Sequence, residues 1–264
     1  MHGPDLHQGT RNEAWIWLFA GTAEGPLLAQ LLLERGWWVR ASVVTPGAAR
    51  AYPQHPQLQL SVGEVSDDAQ LRADLQELAP RWVVDATHPF AQVISRRLER
   101  LCAAEGPALL QLERRLPEQD APGEQLHWLH GLEQLSRLPL AGERLLLAIG
   151  ARQLAAAVHA SAAAEHFARV LDQPGSLQAA RAAGLADERI ACLRPDPATQ
   201  GELEEALCRR WGISVVLCRQ GGGRSEAIWR QVCRRRGLPL LLLRQPVAAA
   251  GLPLQALLEK LGQP

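Results

Sequence analysis

Residues 15–26 of the chain read WIWLFAGTAEGP, and this stretch decides the fold. Its first half, Trp15–Ala20, is a short apolar run, which is typical of a strand that is buried on both faces. The turn at residues 21–25 begins and ends with glycine, and Pro26 follows where the first turn of a helix tolerates proline. Leucines then recur at helical spacing, at Leu27, Leu28, Leu31 and Leu32. The stretch predicts the first strand–turn–helix unit of a parallel α/β sheet.

The same alternation of short apolar runs and helical patterns continues along the chain. Further strands are predicted over 38–45, 58–62, 81–85 and 108–112, and then over 144–149, 166–171, 189–193, 213–218 and 238–243. Further helices are predicted over 68–78, 90–104, 153–159, 177–183, 201–211, 226–236 and 253–261. Alternation of this kind favours parallel sheets that are covered by helices.

A polar segment over 116–124, rich in Pro, Gly and charge, predicts an exposed loop between the two series of strands. A chain of 264 residues has room for two domains of ordinary size. We therefore predict two Rossmann-like three-layer domains with mostly parallel sheets and a ligand cleft between them. Their predicted bounds are 14–138 and 139–264, after a disordered tail over 1–13.

Charge and cysteine content argue against several classes of protein. The 28 Lys and Arg residues balance the 28 Asp and Glu residues, whereas binders of nucleic acid or membrane surfaces usually carry a basic face. The five cysteines include no CxxC pair, so we expect neither a disulfide framework nor a metal site. The apolar runs are too short to span a bilayer, and the polar start does not resemble a signal peptide. These features predict a cytoplasmic protein that binds neither nucleic acid nor membrane.

The glycine turn after the first strand is a candidate site for a phosphate. Backbone N–H groups at the start of a helix attract anions, and glycine lets a phosphate approach closely. We therefore take Gly21, Thr22 and Gly25 as candidate cofactor residues, with Glu24 capping the helix or facing a ribose. An ordinary tight turn between strand and helix is the alternative.

The end of the second strand indicates which dinucleotide would bind. Sites that prefer NAD usually place Asp or Glu there, about 20 residues after the glycine turn, to hold the ribose hydroxyls. Here the place holds Thr45, with Arg50 just beyond and no carboxylate between them. The pattern favours NADPH, whose 2′-phosphate Arg50 would bind, unless Arg50 is an ordinary surface residue.

The segment DATHPFA at 85–91 places polar residues at the end of another strand. In an open α/β sheet the carboxyl ends of the strands form the ligand crevice. Asp85, Ala86, Thr87 and His88 are therefore candidate cofactor residues. His88 is also the candidate proton donor, with Asp85 orienting it. The alternative is a capped helix with an incidental histidine.

A second glycine-rich loop, RQGGGRS at 219–225, joins a strand to a helix in the second half of the chain. Exposed glycine amides and flanking arginines suit a carboxylate or phosphate, although a flexible hinge would have the same composition. The candidate substrate residues are Arg219, Gly221, Gly222 and Arg224, with Arg114, Arg169 and Arg244 near other strand ends.

Taken together, these motifs resemble the precorrin-6A reductases of cobalamin biosynthesis, including the cobalt-precorrin-6A enzymes. The segment at 85–91 is close to a signature of that family, and the turn at 21–25 resembles its N-terminal motif. Further features occur along the chain in the same order as in that family. They are Gly63, Glu113 with Arg114, the segment over 168–171, Gly221 and the stretch over 238–244. The resemblance extends from Trp15 to Pro246. In that family the second glycine loop often carries Lys and Ser, where this chain has Arg219 and Gly221.

The resemblance implies that the first domain binds NADPH, with Gly63 among the cofactor residues, and that the second domain lies on the substrate side. It implies reduction of one double bond of the precorrin-6A macrocycle, giving precorrin-6B. The many carboxylates of such a tetrapyrrole suit the arginines of the second half. Transient contact with other enzymes of the cobalamin pathway is a further prediction. The alternatives are another NADP-dependent reductase or a dinucleotide sensor without catalysis.

Overall fold

The computed structural model describes residues 14–22, 24–65, 67–113, 124–193, 200–246 and 251–264. The chain forms two compact units, one of Met1–Arg114 with Val247–Pro264 and the other of Arg115–Pro246. In both units every strand pairing among the described residues is parallel. The predicted α/β class with parallel sheets is therefore confirmed. The predicted tail over 1–13 lies outside the described residues.

The sheet of the first unit has the strand order β3-β2-β1-β4-β5. Its strands are β1 Trp15–Ala20, β2 Trp38–Val43, β3 Leu58–Val62, β4 Trp82–Ala86 and β5 Ala108–Gln111. Its helices include α1 Glu24–Leu33, α2 Pro46–Ala49, α3 Asp68–Leu78 and α4 Gln92–Glu105. The central strand β1 is buried on both faces, as its unbroken apolar sequence predicts.

The helix after β4 begins two residues later than its predicted start at 90. Before it, the backbone N–H of Phe90 donates to Nδ1 of His88 over 3.2 Å, and that of Ala91 donates to the His88 carbonyl over 2.7 Å. These bonds make a separate turn, so α4 starts only at Gln92. The short helix α2 was not predicted, because four residues are too few to show helical periodicity.

The sheet of the second unit has the order β6-β11-β10-β7-β8-β9. Its strands are β6 Leu126–Leu129, β7 Arg144–Ala148, β8 Glu165–Val170, β9 Ile190–Cys192, β10 Val215–Arg219 and β11 Leu240–Leu243. Its helices are α5 Leu154–Ala160, α6 Pro174–Ala182, α7 Glu202–Trp211 and α8 Arg224–Arg236, with short 3₁₀ turns at Leu132–Arg137, Ala151–Gln153 and Asp187–Arg189. None of the described helices in either unit is long and apolar enough to cross a bilayer.

The division into units differs from the predicted bounds at two places. Strand β6 lies on the N-terminal side of position 138, yet it pairs with β11 of the second sheet. The last helix, α9 Leu254–Leu261, belongs to the first unit. Its apolar residues Leu257 and Leu261 are buried in the same core as β1. Because this apolar face is buried in the core of the first unit, the C-terminal helix is part of that unit.

Each sheet contains one point where the order of the strands reverses. In the first unit the chain proceeds from β1 to β2 and β3, and then returns to the other side of β1 as β4. In the second unit it proceeds from β7 to β8 and β9, and then returns to the other side of β7 as β10. Ligands of open α/β sheets bind beside such reversals, at the carboxyl ends of the strands.

Candidate functional site

The reversal in the first sheet brings together two of the motifs found in the sequence. Phe19 pairs with Asp85 and Ala20 with Ala86, so β1 and β4 end side by side. Neighbouring strands lie about 4.8 Å apart. The glycine turn that follows β1 and the polar loop that follows β4 therefore share one edge of the sheet. This juxtaposition makes the edge the candidate functional site of the first unit.

The two glycines of the first turn have different roles. A Cβ atom on Gly25 would lie 2.5 Å from Cβ of Ala20 and 2.5 Å from the hydroxyl oxygen of Tyr52. Gly25 therefore lets α1 begin close against β1. A Cβ atom on Gly21 would meet no described heavy atom within 4 Å. The space above Gly21 is open, which is the condition for a phosphate to approach the turn.

Tyr52 is a residue of this edge that the sequence analysis missed. The residue is 8% exposed, and no described group forms a hydrogen bond with its hydroxyl. Burial raises the pKa of Tyr52 to about 12, so the hydroxyl stays neutral and remains a hydrogen-bond donor at neutral pH. The residue follows the unpredicted helix α2, and nothing in its local sequence indicates that it lies beneath Gly25.

The loop after β4 is held by its own side chains. Asp85 is 6% exposed, and its Oδ1 atom accepts hydrogen bonds from the backbone N–H of Thr87 at 3.0 Å and from its hydroxyl at 2.7 Å. The prediction that Asp85 orients His88 is corrected by this geometry, because the contacts of Asp85 go to Thr87. The carboxylate instead fixes the path of the loop on which His88 lies.

The ring of His88 is oriented by its own turn. Its Nδ1 atom accepts the backbone N–H of Phe90 over 3.2 Å, and the two rings lie with centroids 5.7 Å apart. Because Nδ1 is an acceptor, the neutral ring carries its proton on Nε2. The turn therefore leaves Nε2–H of the neutral ring as a hydrogen-bond donor. To give up a whole proton the ring must first take a second one, and the protonated ring no longer accepts the N–H of Phe90 at Nδ1.

The ends of β2 and β3 extend the same edge of the first sheet. Thr45 caps α2, and its hydroxyl accepts the backbone N–H of Ala48 over 3.2 Å. Arg50 is exposed at the end of that helix. Gly63 follows β3 with a φ of +138°, and its N–H donates to the Val43 carbonyl over 2.9 Å. The carboxyl edge of one sheet thus carries all the predicted cofactor residues.

The glycine loop of the second unit does not offer its amides as predicted. The backbone N–H groups of Gly221 and Gly222 both donate to Oε2 of Glu226, each over 2.9 Å. Glu226 is 2% exposed and lies in the first turn of α8, where a carboxylate is favourable. The prediction that these two glycine amides bind a substrate anion is therefore corrected. The anion that these two amides bind is the carboxylate of Glu226, which belongs to the protein itself.

Glu226 is in turn part of a buried chain of charges. Its Oε1 atom accepts from Nε of Arg230 over 2.9 Å, and Nη1 of Arg230 donates to Oε2 of Glu124 over 2.8 Å. The exposed fractions of the Arg230 and Glu226 side chains are only 8% and 1%. The network joins the glycine loop to α8 and to Glu124, two residues before β6.

The predicted substrate arginines fall into different environments. Arg169 is 7% exposed and its Nη2 atom lies 3.7 Å from Oε1 of Glu204, so we leave it out of the proposed substrate site. Arg224 and Arg244 are exposed, and the guanidinium of Arg244 lies 4.9 Å from the ring centroid of Trp128. Arg219 is partly buried at the end of β10. Arg114 lies outside the described residues.

Parallel sheets in both units, with a glycine turn at the strand reversal of the first, place the chain among the open α/β proteins, whose ligands bind at such reversals. The model of the family described as Precorrin-6x reductase CbiJ/CobK matches residues 15–261, and the chain belongs to that family. It is therefore an oxidoreductase, and the resemblance inferred from residues 85–91 is confirmed.

Individual relatives agree with this assignment along almost the whole chain. A cobalt-precorrin-6A reductase of Synechocystis is 30% identical over 243 residues, covering 90% of this chain and 91% of that protein. A precorrin-6A reductase of Rhodobacter capsulatus is 30% identical over 239 residues, covering 88% of each. A solved structure of the CobK precorrin-6A reductase matches with a TM-score of 0.74 and 25% identity, covering 95% of this chain and 99% of that one.

Proposed function

We propose that the chain uses NADPH to reduce one double bond of the precorrin-6A macrocycle, or of its cobalt form, giving the corresponding precorrin-6B in cobalamin biosynthesis. The choice of substrate is supported by the relatives named above, a cobalt-precorrin-6A reductase and a precorrin-6A reductase. The observation that carries the cofactor assignment is the edge where β1 and β4 end together. NADPH supplies the hydride, and the residues of this chain bind it, orient it and supply the proton.

The glycine turn of the first unit fits the pyrophosphate and ribose of a dinucleotide. The open space above Gly21 and the start of α1 suit a pyrophosphate, since helix N-termini attract anions. The buried hydroxyl of Tyr52 is a donor without a described partner beside that turn. Thr22, Glu24 and Gly25 complete the proposed pyrophosphate and ribose site. Glycine at 25 is also needed for the packing of α1 against β1.

The loop after β4 is proposed to position the nicotinamide end of the cofactor. Asp85 holds the loop through Thr87, and the turn of Phe90 presents Nε2–H of His88 as a hydrogen-bond donor. Reduction of a double bond adds a hydride to one atom and a proton to another, so a donor near the acceptor completes the reaction. We propose His88 as the catalytic residue for this proton, which it gives up as the imidazolium and so returns to the neutral ring.

The decisive experiment for the proposed function uses the purified full chain with NADPH and precorrin-6A, and in parallel with cobalt-precorrin-6A. We expect loss of the NADPH absorbance together with a change in the tetrapyrrole spectrum for at least one of the two substrates. Consumption of NADPH with a different acceptor only would identify another reductase. Tight NADPH binding without turnover of either macrocycle would contradict the proposal and favour a sensor.

Arg50→Ala is expected to weaken NADPH binding by about 10- to 100-fold, because a charged hydrogen bond contributes about 1.5–3 kcal/mol. Binding of NADH should change little, since it lacks the 2′-phosphate. Both affinities can be measured by titration of the nicotinamide fluorescence. The matched control is Arg35→Ala, just after α1 at the opposite edge of the sheet, where Arg35 donates to the Leu31 carbonyl. Equal losses for NADPH and NADH would exclude a contact of Arg50 with the 2′-phosphate.

A further inference from the structure

Helix α4 contacts segments on both sides of the glycine turn of the first unit. On one side, Oγ of Ser95 lies 3.4 Å from Oγ1 of Thr87, in the loop that follows β4. On the other side, Arg97 contacts the β3 segment, which consists of residues 63–65, 67 and 68 between the end of β3 and the first turn of α3. Both segments leave the carboxyl edge of the sheet, where ligands of open α/β sheets bind. One helix therefore connects two parts of the candidate site.

Arg97 binds the β3 segment through two of its nitrogens. Nε donates to Oδ1 of Asp68 over 2.6 Å, and Nη1 donates to the carbonyl of Val65 over 3.0 Å. The Arg97 side chain is only 14% exposed, so these charge-assisted hydrogen bonds are largely shielded from water and salt. A planar guanidinium donates in several fixed directions at once, which an ammonium group on a flexible stem does less well. Arg97 therefore fixes the Val65 carbonyl and the start of α3 relative to α4.

The β3 segment lies on the side of the sheet that is proposed for the adenosine half of NADPH. Strands β2 and β3 are paired, with Val43 beside Val62, and the N–H of Gly63 donates to the Val43 carbonyl over 2.9 Å. The segment thus begins beside the end of β2, which is followed by Arg50, the residue proposed for the 2′-phosphate. Strand β4 lies on the opposite side of β1. The same helix therefore contacts the proposed adenosine side and the proposed nicotinamide side of the cofactor site.

We propose that Arg97 is a positioning residue for the adenosine half of NADPH, because it holds the β3 segment in place before the cofactor binds. The inference rests on the proposed function for the identity of the cofactor. Arg97 acts through the carbonyl of Val65 and the carboxylate of Asp68. Without these contacts, binding of NADPH would have to order the segment, and the loss of conformational entropy would weaken the affinity.

The test compares NADPH binding by the full chain and by its Arg97→Met variant, measured by titration of the nicotinamide fluorescence. Methionine keeps an unbranched side chain and removes both hydrogen-bond donors. We expect binding to weaken by about tenfold, which corresponds to the cost of fixing about one backbone residue. NADH binding should weaken by the same factor, since neither contact of Arg97 involves the 2′-phosphate. Arg97→Lys keeps one charged donor and should lose less affinity.

The matched control is Arg100→Met, on the same helix. Nη2 of Arg100 lies 3.3 Å from Oδ2 of Asp68, but the Arg100 side chain is 69% exposed. This variant changes the net charge as Arg97→Met does, and it should leave NADPH affinity unchanged because exposed ion pairs contribute little. Asp68→Ala removes one of the two acceptors of Arg97 and should weaken NADPH binding less than Arg97→Met does. Thermal unfolding by circular dichroism shows which variants are folded. Should Arg97→Met fail to fold, Arg97→Lys and Asp68→Ala give the decisive comparison with the control.

Fragments of the cofactor distinguish the positioning of one half from a general effect on the fold. The adenosine half is represented by 2′,5′-ADP, and the other half by reduced nicotinamide mononucleotide. Arg97→Met should weaken binding of 2′,5′-ADP by about tenfold and leave binding of the mononucleotide unchanged, as measured by calorimetry. In the assay with precorrin-6A, the KM for NADPH should rise by a similar factor while kcat stays nearly the same.

The outcomes separate this inference from the proposed function. Unchanged NADPH affinity in folded Arg97→Met, or an equal loss for both fragments, would overturn the positioning role. A loss for NADPH that is absent for NADH would make Arg97 a ligand of the 2′-phosphate, and an equal loss in Arg100→Met would assign the effect to net charge; either result would also overturn it. Arg97-dependent NADPH binding without turnover of either precorrin-6A form would retain this inference and reject the proposed reaction. No NADPH binding by the wild-type chain would reject the cofactor assignment and this inference with it.

Discussion

Replacing Glu226 with alanine is expected to lower the free energy of unfolding of the second unit by about 3–5 kcal/mol, the usual cost of removing one partner from a buried ion pair. The change leaves Arg230 buried with one carboxylate instead of two. It also leaves the N–H groups of Gly221 and Gly222 without their acceptor. Unpaired buried donors are costly, so the loop should lose its single conformation along with its stability.

Urea unfolding followed by circular dichroism measures this effect. Glu226→Gln keeps the shape of the side chain and one acceptor oxygen, and it should cost less than alanine. The control is Asp187→Ala, which removes the partner of an exposed arginine and should change stability little. Stability equal to the wild type in Glu226→Ala would show that the buried network does not hold the loop.

Gly25→Ala is expected to destabilise the first unit by about 1–3 kcal/mol through overpacking. The added Cβ would lie 2.5 Å from Cβ of Ala20, which is part of a buried strand and has no flexible end that can move away. Helix α1 must therefore shift away from β1. The shift moves the amides of its first turn, so NADPH affinity should fall by at least about tenfold if they bind the pyrophosphate.

Two further variants separate packing from ligand binding at this turn. Gly21→Ala adds a methyl group where no described heavy atom lies within 4 Å, so it should preserve stability and weaken NADPH binding. Gly25→Ala combined with Tyr52→Phe removes one of the two clashing atoms and should recover part of the lost stability. Thermal unfolding and NADPH titration measure both effects. Full stability in Gly25→Ala would mean that the close approach of α1 to β1 is not required.

The sequence alone predicted the class of the fold and grouped the residues of the candidate site in the first unit. Strands buried on both faces must be apolar throughout. A run such as Trp15–Ala20 can therefore be recognised as a buried strand from its local sequence, without knowing which strands lie beside it. Glycine turns and the polar loop at 85–91 stand directly after such strands. Because parallel strands end at a common edge, position in the chain was enough to group these residues as one candidate site.

Short or partly polar elements were harder to predict. Strand β6 has only four residues and lies at the edge of the second sheet, so it carries little periodic signal. Helix α9 was recognised as a helix, but its sequence does not say which core its apolar face will join. The spacing of apolar residues predicts that one face of a helix will be buried. Which core buries that face depends on contacts between distant parts of the chain.

Tertiary structure alone decided how the polar groups of the sites are paired. The sequence shows that three glycines and two arginines are adjacent, but only the fold shows that Glu226 occupies two of the glycine amides. Likewise, Ala148 and Cys218 are distant in sequence and lie side by side because β7 and β10 pair. Hydrogen bonds and charge interactions act over a few ångströms and depend on the three-dimensional neighbours of each group. For that reason local sequence indicated these candidate sites, and long-range packing determined which groups each residue in them contacts.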